Sequence, residues 1–118
     1  MQIEESDWKK YKDLYKLALE RLCQGVLADA ETIAQNDSLS AHARYLTLYR
    51  MVQHREKDIA QTFDRFSRSG ALMSLSMMIK HDLLTDKELS VLSEATQQMV
   101  MGFDRRPYKI KWVAETDA

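Results

Sequence analysis

Helix breakers are scarce in this chain, with one proline and three glycines in 118 residues. Little of the sequence can therefore be turn, and most of it should be helix. Cysteine is rarer still. Cys23 stands alone, which excludes an intramolecular disulfide and predicts a buried thiol that packs as a small apolar side chain in a reducing compartment. Neither sign of charge dominates: 17 Lys+Arg against 18 Asp+Glu leave a net charge of -1. Nothing global pulls such a chain onto nucleic acid or an anionic membrane, so any such pull must come from a local patch. Long apolar runs are missing too. The longest uncharged stretch, Ser69 to Ile79, falls far short of the ~20 residues of a membrane span. The opening Met1-Gln2-Ile3-Glu4-Glu5 has no basic segment followed by an apolar one, so no secretory signal is expected. These absences predict a single cytoplasmic domain with no membrane partner.

Recognisable chemistry is also sparse. There is no glycine-rich phosphate loop and no Walker lysine. His42, His54 and His81 sit in separate segments; His54 and Asp58, one helical turn apart, are the nearest approach to a ligand pair, and a metal site needs three or four. The histidines read as solvated surface groups. A nucleophile built on Cys23 or a serine would need partners brought in by the fold, and no spacing favours one. The expectation is a non-enzyme with no catalytic residue, cofactor or metal.

What is present is amphipathic helix. A first helix should start at Ser6 as N-cap, with Asp7 placing negative charge in the first turn, and carry the stripe Trp8, Tyr11, Tyr15, Ala18, Leu22, Val26, Ala30, Ile33. Gly25 should weaken it by ~1 kcal/mol unless another helix approaches closely there. A second helix, capped by Ser38 or Ser40, shows Tyr45, Leu48, Tyr49, Val52, Ile59, Phe63 and Phe66. The polar run His54-Arg55-Glu56-Lys57-Asp58 puts Arg55 or Glu56 on that stripe, which is then either uncovered or carries a paired charge. Ser67-Arg68-Ser69-Gly70 either breaks the helix, the favoured reading, or kinks a continuous one, since Gly70 falls in register with Phe63, Phe66, Met73 and Met77; the apolar segment Ala71 to Ile79 should form the centre of the core. Thr85-Asp86-Lys87-Glu88 is a capping box flanked by Leu84 and Leu89 as a hydrophobic staple. Gly102 suits a left-handed C-terminal residue, with Phe103 making the accompanying contact. The fold class predicted is all-α: an antiparallel bundle of four helices, roughly 6–35, 39–67, 70–82 and 85–101, with a bundle domain over 1–102 and an extended arm over 103–118.

In that arm Tyr108, Ile110 and Trp112 alternate with Lys109 and Lys111, a period-two pattern with no second strand to pair it. Pro107 excludes helix continuation. The aromatics can clamp across a groove of their own subunit, add as a strand to another protein, or, with Arg105, Arg106 and the lysines, neutralise phosphate and stack on bases. Methionines concentrate at Met73, Met77, Met78, Met99 and Met101, serving as core filler or lining a groove. The exposed aromatic end of the first helix needs a lid, from the arm or from a second subunit, and long amphipathic helices favour a homodimer. The function expected is that of a small adaptor or regulator of another protein, one form being inhibition by masking a surface of a larger regulator. Its partner-binding residues would be Arg105, Arg106, Tyr108, Ile110, Trp112, Met73 and Met77; the alternative is a nucleic-acid-binding module using the basic arm.

Overall fold

The computed structural model describes every residue except Met1, Arg65, Met101 and Phe103. It is all-α, with α1 over Glu5–Ala34, α2 over Ala41–Phe63, α3 over Ala71–Lys80, α4 over Asp86–Leu89, α5 over Glu94–Val100 and a 3-10 turn at Glu115–Asp117. No strand forms among the described residues. The two long helices pack on each other, α3 lies against α1, α2 and α5, and no helix is long and apolar enough to cross a membrane.

The cap of α1 lies two residues before the expected one. Glu4 is the N-cap without a side-chain bond, and Ser6 lies inside the helix. The earlier start follows from Ile3, which is buried in the core while its carbonyl accepts from the Arg68 guanidinium. Ser40 caps α2 as expected, its hydroxyl accepting from the Ala43 amide. The buried face of α2 is another matter: it is Ala43, Thr47, Met51, Arg55, Thr62 and Phe63, while Tyr45, Tyr49 and Val52 of the expected stripe are exposed. Thr47 and Arg55 take inward positions because their partners, Val113 and Asp29, come from distant parts of the chain, which periodicity cannot see; the Thr62 hydroxyl is buried without a hydrogen bond.

The break before α3 falls where expected, with the Gly70 amide bonded back to Ser67. Ala71, Ser74, Leu75, Ser76, Met78 and Ile79 are buried, so α3 is the centre of the core. Phe66, outside α2, is the lid over the aromatic end of α1: its ring centroid lies 5.2 Å from Trp8, 6.2 Å from Tyr11 and 4.7 Å from Tyr15. The arm takes no part in this cluster, and Phe66 itself remains 48 % exposed.

The capping box forms in full, and Leu84 and Leu89 are both buried. The helix that it starts is shorter than expected. Instead of one helix over 85–101, α4 ends at Leu89 and α5 begins at Glu94. The physical reason is Asp7. A continuous helix would direct the Ser93 amide to the Leu89 carbonyl; instead that amide donates to the Asp7 carboxylate at 2.8 Å, and the Ser93 and Thr96 hydroxyls donate to the same carboxylate at 2.6 Å each. Gly102 adopts the left-handed conformation, φ +89°; its expected contact with Phe103 lies outside the described residues. Nothing approaches Gly25 within 4 Å of a built Cβ, so no close helix contact explains it. Cys23 is half-buried, not buried.

The molecule is elongated, 51 × 23 × 20 Å. Its main core gathers the first two-thirds of α1, the end of α2, α3 and α4–α5. The far half of the α1–α2 hairpin extends beyond that core, and there the arm packs against α2.

Candidate partner-docking cleft

Residues 104–114 run extended along α2 and the end of α3, held at four points. The Arg105 guanidinium donates to Asp82 at 3.0 Å, to Asp86 at 2.8 Å and to the Leu84 carbonyl. The Arg106 amide donates to the Lys80 carbonyl, an open acceptor at the end of α3. Tyr108 is packed against two side chains: the His81 ring stacks on it at 4.6 Å and 9°, and the Arg55 guanidinium lies over the ring at 4.6 Å. Its hydroxyl donates to Asp58 at 2.8 Å. Finally, the buried Val113 donates its amide to Thr47 Oγ1 at 3.0 Å.

The charges beneath the clamp are arranged to hold it. Arg55, 3 % exposed, pairs with Asp29 of α1, so of the two outcomes for the polar run the structure takes the paired buried charge. Burial, then the bond to Asp58, pushes the Tyr108 hydroxyl well above the ordinary phenol value, so it stays a donor. His81 is pushed below its ordinary value by burial, against the attraction of Asp58, with Lys80 and His54 adding to the depression. Its Nε2 is buried without a hydrogen bond, 3.7 Å from Asp58 Oδ2. His81 is therefore a half-buried part of the clamp and not a solvated surface group.

Between α2, the end of α3 and the arm lies an open cleft of about 1230 Å³. Met51, Met77 and Val113 supply apolar lining, and Trp112 stands at its edge, 41 % exposed. Arg50, Lys80, Arg106, Lys109 and Lys111 line it as exposed cations, and none makes an ion pair among the described residues. The acids that line it are Asp58, engaged by Tyr108, and Asp117. A second, smaller cavity of about 400 Å³ lies by the root of the arm, where Arg105 is already committed to acids.

The predicted binding residues thus separate. Arg106 and Trp112 face the cleft with free chemistry, and Ile110 is half-buried beside them. Tyr108 and Arg105 are engaged within the molecule and anchor the arm. Met77 lines the cleft, whereas Met73 is 60 % exposed on α3 and is not among its lining residues. Sequence reasoning missed Thr47, Asp58 and His81 as anchors. The signal that could have found them is the polar run 54–58, a stretch of polar residues that something must cover.

No group of three His, Cys, Asp or Glu gathers to hold a metal among the described residues. No family model matches the chain, and comparison with curated proteins and with solved structures gives no significant match.

Proposed function

We propose that the protein is a small non-enzymatic binding protein, an adaptor or regulator that works by occupying a surface of another protein, and that the cleft beside the arm is where it does so. The observation that carries this reading is the row of unpaired cations next to the exposed Trp112, on an arm otherwise fixed in place. Rigid presentation lowers the entropy that a partner must overcome. Masking the dimerisation or DNA-binding surface of a larger regulator is one form of such action, and a cytoplasmic setting belongs to the reading. Reversing Arg106, Lys109 and Lys111 to Glu should leave the helical circular dichroism intact and abolish capture of a partner from native lysate. Undiminished capture by the triple variant would overturn the reading.

The same cations and Trp112 support a second reading, nucleic-acid binding. Phosphate neutralisation predicts affinity for oligonucleotides that falls steeply with added salt, and no binding at low salt ends it. A homodimer belongs to the proposal as well, through the exposed Tyr45, Tyr49 and Val52 on the outer face of α2. Sedimentation at rising concentration should show a dimer that Tyr49→Glu dissociates; a monomer throughout refutes it.

A further inference from the structure

The arm is extended between two backbone anchors, the amides of Arg106 and Val113. Between them the amides of Tyr108, Lys109, Ile110, Lys111 and Trp112 donate to no group among the described residues, and their carbonyls accept from none. A fixed, extended chain with an open main-chain edge is what strand addition requires, and here no neighbouring segment of the protein uses it. Side chains divide accordingly. Tyr108, packed on Arg55 and Asp58 of α2, and Ile110 are half-buried while Lys109 and Lys111 are exposed, and the alternation lapses only at Trp112, which stands out at the cleft edge while Val113 is buried.

We infer that the arm is a docking edge for an extended acidic segment of a partner protein, in which carboxylates opposite Lys109 and Lys111 alternate with apolar side chains opposite Ile110 and Trp112. The inference rests on the function proposed above and adds to it the mode of docking and the chemistry of the partner. Three features select this occupant. The length of chain from Arg106 to Val113 spans about 25 Å at ~3.3 Å per residue, enough for a segment of seven or eight residues. The open cations, with Arg50 and Lys80 across the cleft, favour carboxylates, and arginines can take them two oxygens at a time. Base stacking is poorly served: a single-strand groove offers a series of aromatic faces, whereas the Tyr108 ring is already engaged by His81 and Arg55, and Trp112 is the aromatic of the arm that stands exposed.

The test uses the full chain and three labelled probes: an eight-residue peptide alternating Glu and Val, a peptide of the same composition with Glu and Val in separate blocks, and single-stranded oligothymidine. Anisotropy at physiological salt should show the alternating peptide binding at least 10-fold more tightly than either other probe. Lys109→Glu with Lys111→Glu should weaken it at least 10-fold, and amide exchange should show new protection confined to residues 108–112. Equal binding of the two peptides, tighter binding of the oligonucleotide, protection elsewhere, or no binding of any probe each overturns the inference. If the peptides fail while charge reversal at the same lysines still abolishes capture of a cellular partner, the docking edge falls and the adaptor function stands.

Discussion

Asp7 takes three hydrogen bonds from the far end of the chain and is the residue on which the α4–α5 break depends. Burial pushes its carboxyl up, but the bonds from Ser93 and Thr96 outweigh this and hold it below the ordinary value of 3.8. Asp7→Ala leaves three donors unsatisfied in a buried site and should cost about 3 kcal/mol, read as a lower urea midpoint. Because its native pKa is depressed, the contribution is complete above the unfolded value and is lost as pH falls through the native one. His81 obeys the same linkage with the opposite charge. Its native pKa lies below the unfolded 6.5, so the unfolded chain binds a proton first, and stability is full above pH 6.5 and falls as pH drops from 6.5 towards the native value. His81→Phe keeps a ring to stack on Tyr108 and should remove that slope below pH 6.5 in denaturant titrations. A slope as steep as in the native chain would show that other groups set it.

At the scale of elements, α1 is long and carries Gly25 with open space around it. Nothing there would resist a methyl group, so Gly25→Ala should raise stability by about 1 kcal/mol, seen as an increased urea midpoint at unchanged m. A loss of stability would mean that the helix bends or packs at Gly25 in a way that needs its freedom. The α4 turn is short, yet it is fixed twice over. Glu88 completes the capping box and also takes both terminal nitrogens of Arg21 from α1, at 2.6 and 2.7 Å, which lowers its pKa to about 2. The capping box was legible because its partners lie three residues apart. The Arg21 bond was not, since 67 residues separate the pair.

The whole molecule is drawn out: its Cα radius of gyration is 16.8 Å, against about 13.5 Å for a compact chain of this length. A protruding two-helix hairpin buries too little to be firm alone, and the arm supplies the cover that it lacks. Ending the chain at Gly102 removes the Tyr108 clamp and the Val113 anchor. The truncated protein should keep most of its helical signal and lose about 3 kcal/mol, with faster amide exchange concentrated around Thr47 to Arg55. An unchanged urea midpoint would show that the arm contributes nothing to the native state.

The sequence by itself determined the all-α class, the break before Thr85 and the extended arm, narrowed the α2 cap to Ser38 or Ser40 and favoured a break at Ser67–Gly70, because each depends on residues within a few positions of one another. Tertiary structure decided the rest. It turned α2 so that Thr47 and Arg55 face inward, divided the last helix at Ser93, made His81 and Asp58 part of a clamp, and left Lys109, Lys111 and Trp112 open. Hydrophobic periodicity registers apolar faces only. A buried polar residue is stable where its partner is, and for Asp7, Thr47 and Arg55 those partners lie 86, 66 and 26 residues away.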